Sequence, residues 1–267
     1  MKKALQVGNG LALGLTIFVN YLSNTGFINN TTIGAVSDNY KSVFTPAGYT
    51  FAIWGLIYIL LFAFAVYQGR SLWVKATDDS FVDKIGIWFI LSCVFNSLWV
   101  FAWIYEYTAW SCVLIFLLLY SIFRIIINLG MEHNHERFPI MAFVWWPFAI
   151  YAGWVTVASI ANVSSYLVKV KWDGFGLSAN TWTIIMICIA VILNLYVMWK
   201  RSMREFALVG AWALVGIGVA NKGINELITI ITFIGAAILI TTNGIHGFKN
   251  LSANPFAKYR EWKATRN

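Results

Sequence analysis

Tryptophans inside apolar segments are the first residues of this chain whose type and spacing could serve a ligand. Trp99 and Trp103 are four residues apart and therefore lie on one face of a helix. Trp54 and Trp154 lie away from the charged residues that flank their segments. Aromatic walls of this kind are typical of a pocket for an apolar ligand. The alternative is an aromatic belt, because tryptophan also collects where a membrane meets water.

Neutral amides are the second group that could contact a ligand. Asn96, Asn162 and Asn194 fall within or at the ends of long apolar segments. A buried amide requires hydrogen-bond partners, and it can find them on a neighbouring helix. It can equally fix the polar edge of a bound molecule, so both interpretations stay open.

The sequence shows no pattern typical of acid–base, nucleophilic or metal chemistry. His133 and His135 form an HxH pair, but no third ligand is near in sequence, so a solvated turn is favoured. Cys93, Cys112 and Cys188 lie in apolar segments without paired spacing, so neither a disulfide framework nor a zinc site is predicted. We expect no catalytic residues, no metal and no required cofactor.

The composition requires a non-aqueous environment for most of the chain. Of its 267 residues 60% are apolar and 11% are charged, and the mean hydropathy is +0.70. Soluble domains are about 45–50% apolar and about 25% charged. A helix needs about 20 apolar residues to cross a bilayer. Six uncharged segments approach that length, at residues 4–22, 49–67, 85–105, 107–123, 139–168 and 182–199.

Two shorter apolar segments follow, at residues 206–220 and 227–241. Each reaches about 22 Å as a helix, so it spans the membrane with polar ends or dips back as a re-entrant hairpin. Eight spans are favoured over six plus a hairpin, because six would leave two apolar segments unburied. The middles of the first six segments carry no Asp, Glu, Lys, Arg or His, which argues against a proton-coupled pump or an ion channel.

The 19 Lys and Arg residues indicate the orientation. If eight helices alternate sides, one side holds only Lys41, Lys169, Lys171 and Lys222, and the others fall on the side of the two termini. We therefore expect both termini in the cytoplasm and a location in the cytoplasmic (inner) membrane. The alternative of a cleavable signal peptide at the amino end is disfavoured, because the first segment is not followed by a small-x-small pattern.

Three ordered motifs lie in the second, third and fifth segments. They are Pro46, Trp54 and Tyr58; then Asn96, Trp99 and Trp103; then Tyr151, Trp154, Ala158 and Asn162. In this order and spacing they resemble the tryptophan-rich sensory protein family (TspO/MBR), whose mitochondrial members are the translocator protein, or peripheral benzodiazepine receptor. The resemblance covers residues 1–168.

The resemblance implies a five-helix bundle with a cavity beneath the connection between its first two helices, here residues 24–44. Family members bind porphyrins, sterols and synthetic aromatic ligands there, and some bacterial members are reported to transform porphyrins in light. On this basis the expected ligand-binding residues are Trp54, Tyr58, Asn96, Trp99, Trp103, Tyr151, Trp154, Ala158 and Asn162.

This chain also departs from the family pattern. Thr45 and Pro46 stand where the family has paired prolines, Gly48 replaces an aromatic residue, and Ile150 replaces a proline, with Pro147 about one turn earlier. Family members usually end after five helices. We therefore divide the chain into a TspO-like five-helix transmembrane bundle (1–168), three additional transmembrane helices (169–248) and a basic cytoplasmic tail (249–267).

The additional segments suggest partners as well as spans. Gly216 and Ala220 form a small-xxx-small pair that lets helices pack closely, either within the molecule or in a homodimer. The basic tail would lie on anionic membrane lipids. No folded basic reader is visible, so nucleic acid is not an expected partner.

The sequence thus predicts an all-α, polytopic transmembrane bundle of about eight helices. The favoured function is that of a receptor or sensor for a small apolar ligand, such as a porphyrin, another haem-type tetrapyrrole or a sterol-like lipid. The first alternative is a transporter of that ligand or of a lipid. The second is a light-dependent porphyrin-modifying protein. Its chemistry would have to be photochemical or radical, since no acid–base pair or activated nucleophile is visible. A structural scaffold would bind none of these ligands.

Overall fold

A computed structural model describes residues 1–74, 79–131, 136–250 and 255–264. In these residues every regular element is helical. Eight of the described helices have 17 residues or more: α1 (Lys2–Asn24), α3 (Ile53–Gly69), α5 (Trp88–Ile104), α6 (Thr108–Leu129), α8 (Trp146–Lys169), α9 (Ala179–Arg201), α10 (Arg204–Asn221) and α11 (Glu226–Lys249). The short helices are α2 (Ile33–Asn39), α4 (Phe81–Ile85), α7 (Phe138–Ile140) and α12 (Pro255–Ala264).

Each of the eight apolar segments lies largely within one of the eight long helices. Hydrocarbon offers no partner to a backbone N–H or C=O group, so a spanning segment satisfies both within its own helix. Among the described residues, six helical stretches are long and apolar enough to cross a membrane: Lys2–Asn24, Gly48–Leu72, Thr108–Leu129, Phe138–Lys169, Ala179–Arg201 and Glu226–Lys249. The protein is therefore an all-α, polytopic membrane bundle, as the sequence predicts.

The last two long helices exceed the apolar segments that predict them. α10 begins with Arg204 and Glu205, and α11 continues to Lys249, so each includes polar residues at its ends. At 1.5 Å per residue they reach about 27 Å and about 36 Å. The two helices lie side by side. α11 is one of the six stretches that can cross a membrane and α10 is not among them, so the count of eight spans stays a prediction.

The first five long helices enclose a common interior. α5 packs between α1 and α6, α6 packs against α8, and α3 contacts both α1 and α8. At the end of α3 that is remote from α2, three phenylalanine rings fill this interior. The ring centroids of Phe64 lie 5.1 Å from Phe89 and 5.0 Å from Phe148. The other end of the interior is covered by the connection that carries α2, and two cavities lie beneath it.

The fifth spanning segment is interrupted near its start. After α7 the chain forms a π-helical turn, Met141–Trp145, before α8 begins. Pro147 in the first turn of α8 has no N–H to donate. π-Turns inside helices are rare and occur often at functional sites.

α10 is the central helix of the second half of the chain. It packs against α8, α9 and α11, and also against the 3₁₀ turn Gly48–Ala52 that leads into α3. A Cβ atom on Gly153 of α8 would lie 2.9 Å from the Phe206 carbonyl oxygen, so this glycine allows the two helices to touch. A Cβ atom on Gly216 would overlap the Thr50 side chain. Gly216 is thus used inside the molecule, which favours intramolecular packing for that face.

Candidate ligand-binding site

The larger of two cavities beneath the connection between α1 and α3 has a volume of about 530 Å³. We call it the outer cavity. That volume falls within the roughly 300–1,000 Å³ of small-molecule pockets. α1 and α3 form its sides, and residues 25–47, which we call the lid segment, cover it. Its wall consists of Ile17, Asn20, Tyr21, Asn24, Thr32, Ile33, Gly34, Ser37, Asp38, Pro46, Gly48, Phe51, Trp54, Gly55 and Tyr58.

The lid segment is ordered by its own short helix and by ties to α5. Thr32 caps α2, since its hydroxyl accepts a hydrogen bond from the Ala35 N–H at 3.1 Å. Three further hydrogen bonds fix the lid segment to the end of α5 and the turn after it. They run from Trp103 Nε1 to the Ile33 carbonyl (3.1 Å), from Asn29 Nδ2 to the Ile104 carbonyl (3.2 Å) and from Tyr40 OH to Glu106 Oε2 (2.5 Å).

The third of these ties belongs to a small charged cluster. Lys169 at the end of α8 donates to the Glu106 carbonyl oxygen, and its ammonium lies 3.9 Å from Glu106 Oε2. The same ammonium lies 5.2 Å from the centre of the Tyr40 ring. The hydrogen bond to the Glu106 carboxylate raises the pKa of Tyr40, because it favours the neutral hydroxyl. We call Tyr40, Glu106 and Lys169 the lid latch.

A second, inner pocket lies beneath the outer cavity and has a volume of only about 50 Å³. The two share Ile33, Ser37, Pro46, Phe51 and Trp54 in their walls. The inner pocket is too small for a ligand of tetrapyrrole size. A large ligand that reaches it from the outer cavity must displace the shared side chains. The other residues of its wall are Thr45, Trp99, Trp103, Trp154, Val157, Ala158, Ala161, Asn162 and Ser165.

Hydrogen bonds hold the wall of the inner pocket in place. Trp99 Nε1 donates to Asn162 Oδ1 at 2.7 Å, and Asn162 Nδ2 donates to Ser111 Oγ at 2.8 Å. Asn162 therefore connects α5, α6 and α8. The rings of Trp99 and Trp103 are stacked, with centroids 6.0 Å apart. Within the described residues the buried Nε1–H of Trp154 has no hydrogen-bond partner.

Seven of the nine residues expected at the site line one of these two spaces. Tyr58 lines the outer cavity, Trp54 lines both, and the inner pocket is lined by Trp99, Trp103, Trp154, Ala158 and Asn162. The aromatic and amide positions of the three motifs thus come from separate helices to one region.

Asn96 and Tyr151 line neither the outer cavity nor the inner pocket, but each contacts a residue that does. Asn96 Nδ2 donates to the Tyr151 hydroxyl at 3.2 Å, and Asn96 Oδ1 accepts from Asn20 Nδ2 at 2.7 Å. Asn96 therefore connects α1, α5 and α8, which is the interhelical alternative for this amide. Tyr151 also supports the site, because its ring lies 6.1 Å from that of Trp54.

Sequence reasoning missed a row of polar residues along α1. Gln6, Asn9, Thr16 and Asn20 are all buried, and we call them the polar seam. The amide Nε2 of Gln6 donates to the Gln68 carbonyl at 2.5 Å, and Asn9 Nδ2 donates to Gln68 Oε1 at 2.9 Å. Their spacing of three, seven and four residues places them on one helical face, and that spacing was the available signal.

The described residues contain no group of three or more His, Cys, Asp or Glu side chains that could hold a metal ion. The His133–His135 pair lies outside the described residues. Cys93 is buried, Cys112 is half-buried and Cys188 is exposed, and all three are free thiols.

The long apolar helices enclose an aromatic cavity, and the connection between the first two long helices covers this cavity. The arrangement is that of an integral, multi-pass membrane protein. The family model described as "TSPO-like protein" matches residues 6–245, and the chain is a member of this family. No curated protein and no solved structure matches it. The family match continues past residue 168 through most of α11, and the division of the chain at residue 168 stays a prediction.

Proposed function

We propose that this protein is a membrane receptor or sensor that binds an apolar aromatic ligand, such as a porphyrin or a sterol-like lipid, in the outer cavity. One observation carries the proposal. A covered cavity of about 530 Å³ shares its floor, Phe51 and Trp54, with a pocket of tryptophans beneath it. Binding requires no cofactor and no catalytic group.

The chemistry of the outer cavity suits a flat ring system with a polar edge. Trp54 and Tyr58 are stacked with centroids 5.6 Å apart, so they present neighbouring aromatic surfaces along α3. A bound ring gains from burial and from contact with such surfaces. Asn20 and Asn24 of α1 supply amides on the facing wall. They can take the role of polar anchor that the sequence suggested for Asn96.

The inner pocket gives this ligand a second stage of binding. If Phe51 and Trp54 turn aside, the two spaces join, and a ligand contacts Trp99, Trp103 and Trp154. The unpartnered Nε1–H of Trp154 would then donate to an acceptor on the ligand. Burial of an indole N–H without a partner is unfavourable, so a ligand acceptor at this point strengthens binding.

A fluorescence titration tests the proposal. The purified protein in detergent is titrated with protoporphyrin beside two variants, Trp154→Ala in the pocket wall and Trp110→Ala on the exposed face of α6. We expect saturable quenching of tryptophan fluorescence. The affinity derived from it should be about tenfold or more lower in Trp154→Ala and unchanged in Trp110→Ala. Absence of saturable quenching, or equal affinities for the two variants, would contradict the proposal.

Transport of the same ligand is the second candidate function, and the polar seam favours it. Asn20 lines the outer cavity, and the seam continues from there to Gln6 near the amino end of α1. The π-turn before α8 is a point at which that helix can bend. Ligand uptake into sealed vesicles tests this function, and Asn9→Leu in the seam should abolish the uptake while leaving equilibrium binding in place.

Light-dependent modification of a bound porphyrin is the third candidate. The stacked pair Trp99 and Trp103 is the group that could exchange an electron with an excited ring. The titration above, repeated in light and in darkness, tests it directly. If porphyrin absorbance is lost only in light, and if Trp103→Phe suppresses this loss, light-dependent modification is favoured over the receptor function.

We place the protein in a cytoplasmic-type membrane with both termini in the cytoplasm, on the basis of its distribution of Lys and Arg. A homodimer would need a face other than Gly216, because that residue packs against Thr50.

A further inference from the structure

A cleft separate from the outer cavity opens between α8 and α9, beside the end of the lid segment. Its volume is about 350 Å³. α9 touches α8 only weakly, and α10 packs against both. The connection between α8 and α9 closes the cleft at one end. The lining residues are Lys41, Ser42, Val43, Phe44, Ser164, Leu167, Val168, Trp172, Asp173, Gly174, Leu177, Ala179, Trp182, Thr183 and Met186.

The closed end of the cleft carries two tryptophans in a fixed arrangement. Trp182 Nε1 donates to the Gly174 carbonyl at 2.8 Å, which ties the first turns of α9 to the α8–α9 connection. The rings of Trp172 and Trp182 have centroids 5.1 Å apart. Tryptophans at the end of spanning helices lie at the level of lipid headgroups. This end of the cleft is therefore at the membrane interface, on the side of the lid segment.

One cation and one anion also line the cleft. Lys41 is exposed and forms no ion pair with any residue that the structure describes. Asp173 is exposed, and its Oδ1 accepts a hydrogen bond from the Phe175 N–H at 3.1 Å, which leaves acceptor capacity on the carboxylate. A ligand with a phosphate and an ammonium group complements this pair of charges, whereas a purely anionic group would meet the Asp173 carboxylate.

The rest of the cleft is suited to hydrocarbon. Leu167 and Val168 of α8 and Met186 of α9 line it, and Val168 exposes more than a third of its surface. In a membrane protein such surface faces acyl chains. The cleft thus combines an apolar wall with aromatic and charged groups at one end, which is the polarity pattern of a phospholipid.

We infer that the cleft between α8 and α9 binds one zwitterionic phospholipid with an amine headgroup. The phosphate pairs with Lys41, and the ammonium group contacts the Asp173 carboxylate and the face of Trp172 or Trp182. One acyl chain lies along Leu167 and Met186. Because α9 forms one wall, this site depends on the helices that follow the first five, and it is distinct from the outer cavity.

Bound lipid also stabilises the lid segment from outside. Lys41, Val43 and Phe44 line the cleft, while Thr45 and Pro46, the next residues, line the inner pocket. The side chain of Asn221 on α10 donates to the Val43 carbonyl at 3.0 Å, so this part of the chain is already held on one side. An occupied cleft holds it on the other side.

Native mass spectrometry of the delipidated full chain tests the inference. The protein is titrated with phosphatidylethanolamine or with phosphatidylglycerol of the same acyl chains. The variants are Lys41→Ala and Asp173→Asn, and the second keeps the oxygen that accepts from the Phe175 N–H but removes the charge. Lys222→Ala is the matched control, because it removes another exposed lysine, in the turn between α10 and α11. Circular dichroism confirms that each variant keeps its helix content.

We expect the unmodified chain to retain one phosphatidylethanolamine in preference to phosphatidylglycerol. Lys41→Ala should weaken retention of the amine lipid about fivefold, and Lys222→Ala should leave it unchanged. Asp173→Asn should remove the preference between the two lipids. Equal retention in Lys41→Ala and Lys222→Ala, no preference in the unmodified chain, or a preference for phosphatidylglycerol would each overturn the inference.

Discussion

The indole Nε1–H of Trp99 on α5 donates a 2.7 Å hydrogen bond to the amide oxygen of Asn162 on α8. The pair joins two of the three sequence motifs across the inner pocket. The same amide donates to Ser111 on α6, so Asn162 is the point at which three helices meet. Its position at the pocket wall and its complete hydrogen bonding indicate that it orients Trp99.

Replacement of Asn162 by Ala should destabilise the bundle. The Trp99 N–H would lose its acceptor and the Ser111 hydroxyl oxygen would lose a donor, at a cost of about 1–3 kcal/mol for buried polar groups. Unfolding in mixed micelles measures the free energy. A double-mutant cycle with Trp99→Phe isolates the pair, and a coupling energy near zero would show that the hydrogen bond contributes nothing to stability.

Phe51→Ala should alter which ligands bind. Phe51 lines both the outer cavity and the inner pocket, and its ring lies edge-to-face with Trp154 at 5.8 Å. Its removal joins the two spaces, so affinity for a large ring system should rise relative to that for a small one. Titration with ligands of two sizes measures the ratio. Phe101→Ala, on an exposed part of α5, is the control. An unchanged ratio would mean that Phe51 does not separate the two spaces.

Tyr40→Phe should loosen the lid latch. Loss of the hydrogen bond to Glu106 should increase both the association and the dissociation rates of a ligand, by about fivefold if the bond contributes about 1 kcal/mol to closure. Stopped-flow fluorescence measures both rates. Tyr107→Phe changes an exposed neighbouring tyrosine and should have no effect. Equal rates in Tyr40→Phe and the unmodified chain would exclude the latch as a kinetic barrier.

The lid latch should also weaken at high pH. The pKa of Tyr40 is raised by its bond to Glu106, so the stabilisation is complete below the ordinary tyrosine value of 10.0. It is lost as the pH rises through the higher pKa of the folded state, where ionised Tyr40 repels the Glu106 carboxylate. Ligand dissociation should therefore accelerate above pH 10 in the unmodified chain. The same acceleration in Tyr40→Phe would assign it to another group.

Gly153→Ala should separate α8 from α10. The added methyl group would meet the Phe206 carbonyl oxygen at 2.9 Å and the Val209 side chain at 3.0 Å. Overpacking of this kind costs about 1–3 kcal/mol, measurable as a lower midpoint of unfolding. Gly14→Ala on α1 has open space at its Cβ position and should be neutral or stabilising by up to about 1 kcal/mol. Equal midpoints for the two variants would contradict the close contact.

A pH-dependent contact fixes the amino end of α1. Lys2 Nζ lies 2.9 Å from Asp79 Oδ1, and this hydrogen bond lowers the pKa of the Asp79 carboxyl below 3.8. Its contribution to stability is therefore present above pH 3.8 and is lost as the pH falls through the lower folded-state pKa. In Asp79→Asn the unfolding midpoint should fall less steeply between pH 5 and pH 2. Identical slopes of the unfolding midpoint against pH in Asp79→Asn and the unmodified chain would show that the ion pair is screened.

The sequence predicted the helices and their order well, because apolar length alone determines which segments can cross a membrane. It also predicted that Trp54, Trp99 and Trp154 meet, because the motif spacing resembles a known family. The volume of the inner pocket could not be predicted. It depends on how the indole rings pack, and a change of rotamer at Phe51 or Trp54 alters it without any change in the pattern.

The hydrogen-bond partners of the polar seam could not be predicted from the sequence either. The helical spacing of Gln6, Asn9 and Asn20 is visible in the sequence, but Gln68 and Asn96 lie on other helices at large sequence separation. An amide satisfies its hydrogen bonds equally well within the protein or with a ligand. Only the packing of α1 against α3 and α5 decides between these alternatives.

The contact of the lid segment with α10 has a consequence for protein engineering. The backbone N–H of Ala47 donates to the Gly216 carbonyl at 3.0 Å, so the entrance of α3 is hydrogen-bonded to a helix that follows it by more than a hundred residues in sequence. A fragment that stops after α8 would lose this acceptor and expose the Gly153 face to lipid. We expect such a fragment to be unstable alone and to be rescued by co-expression of the complementary fragment, so that two separately encoded pieces reconstitute one bundle.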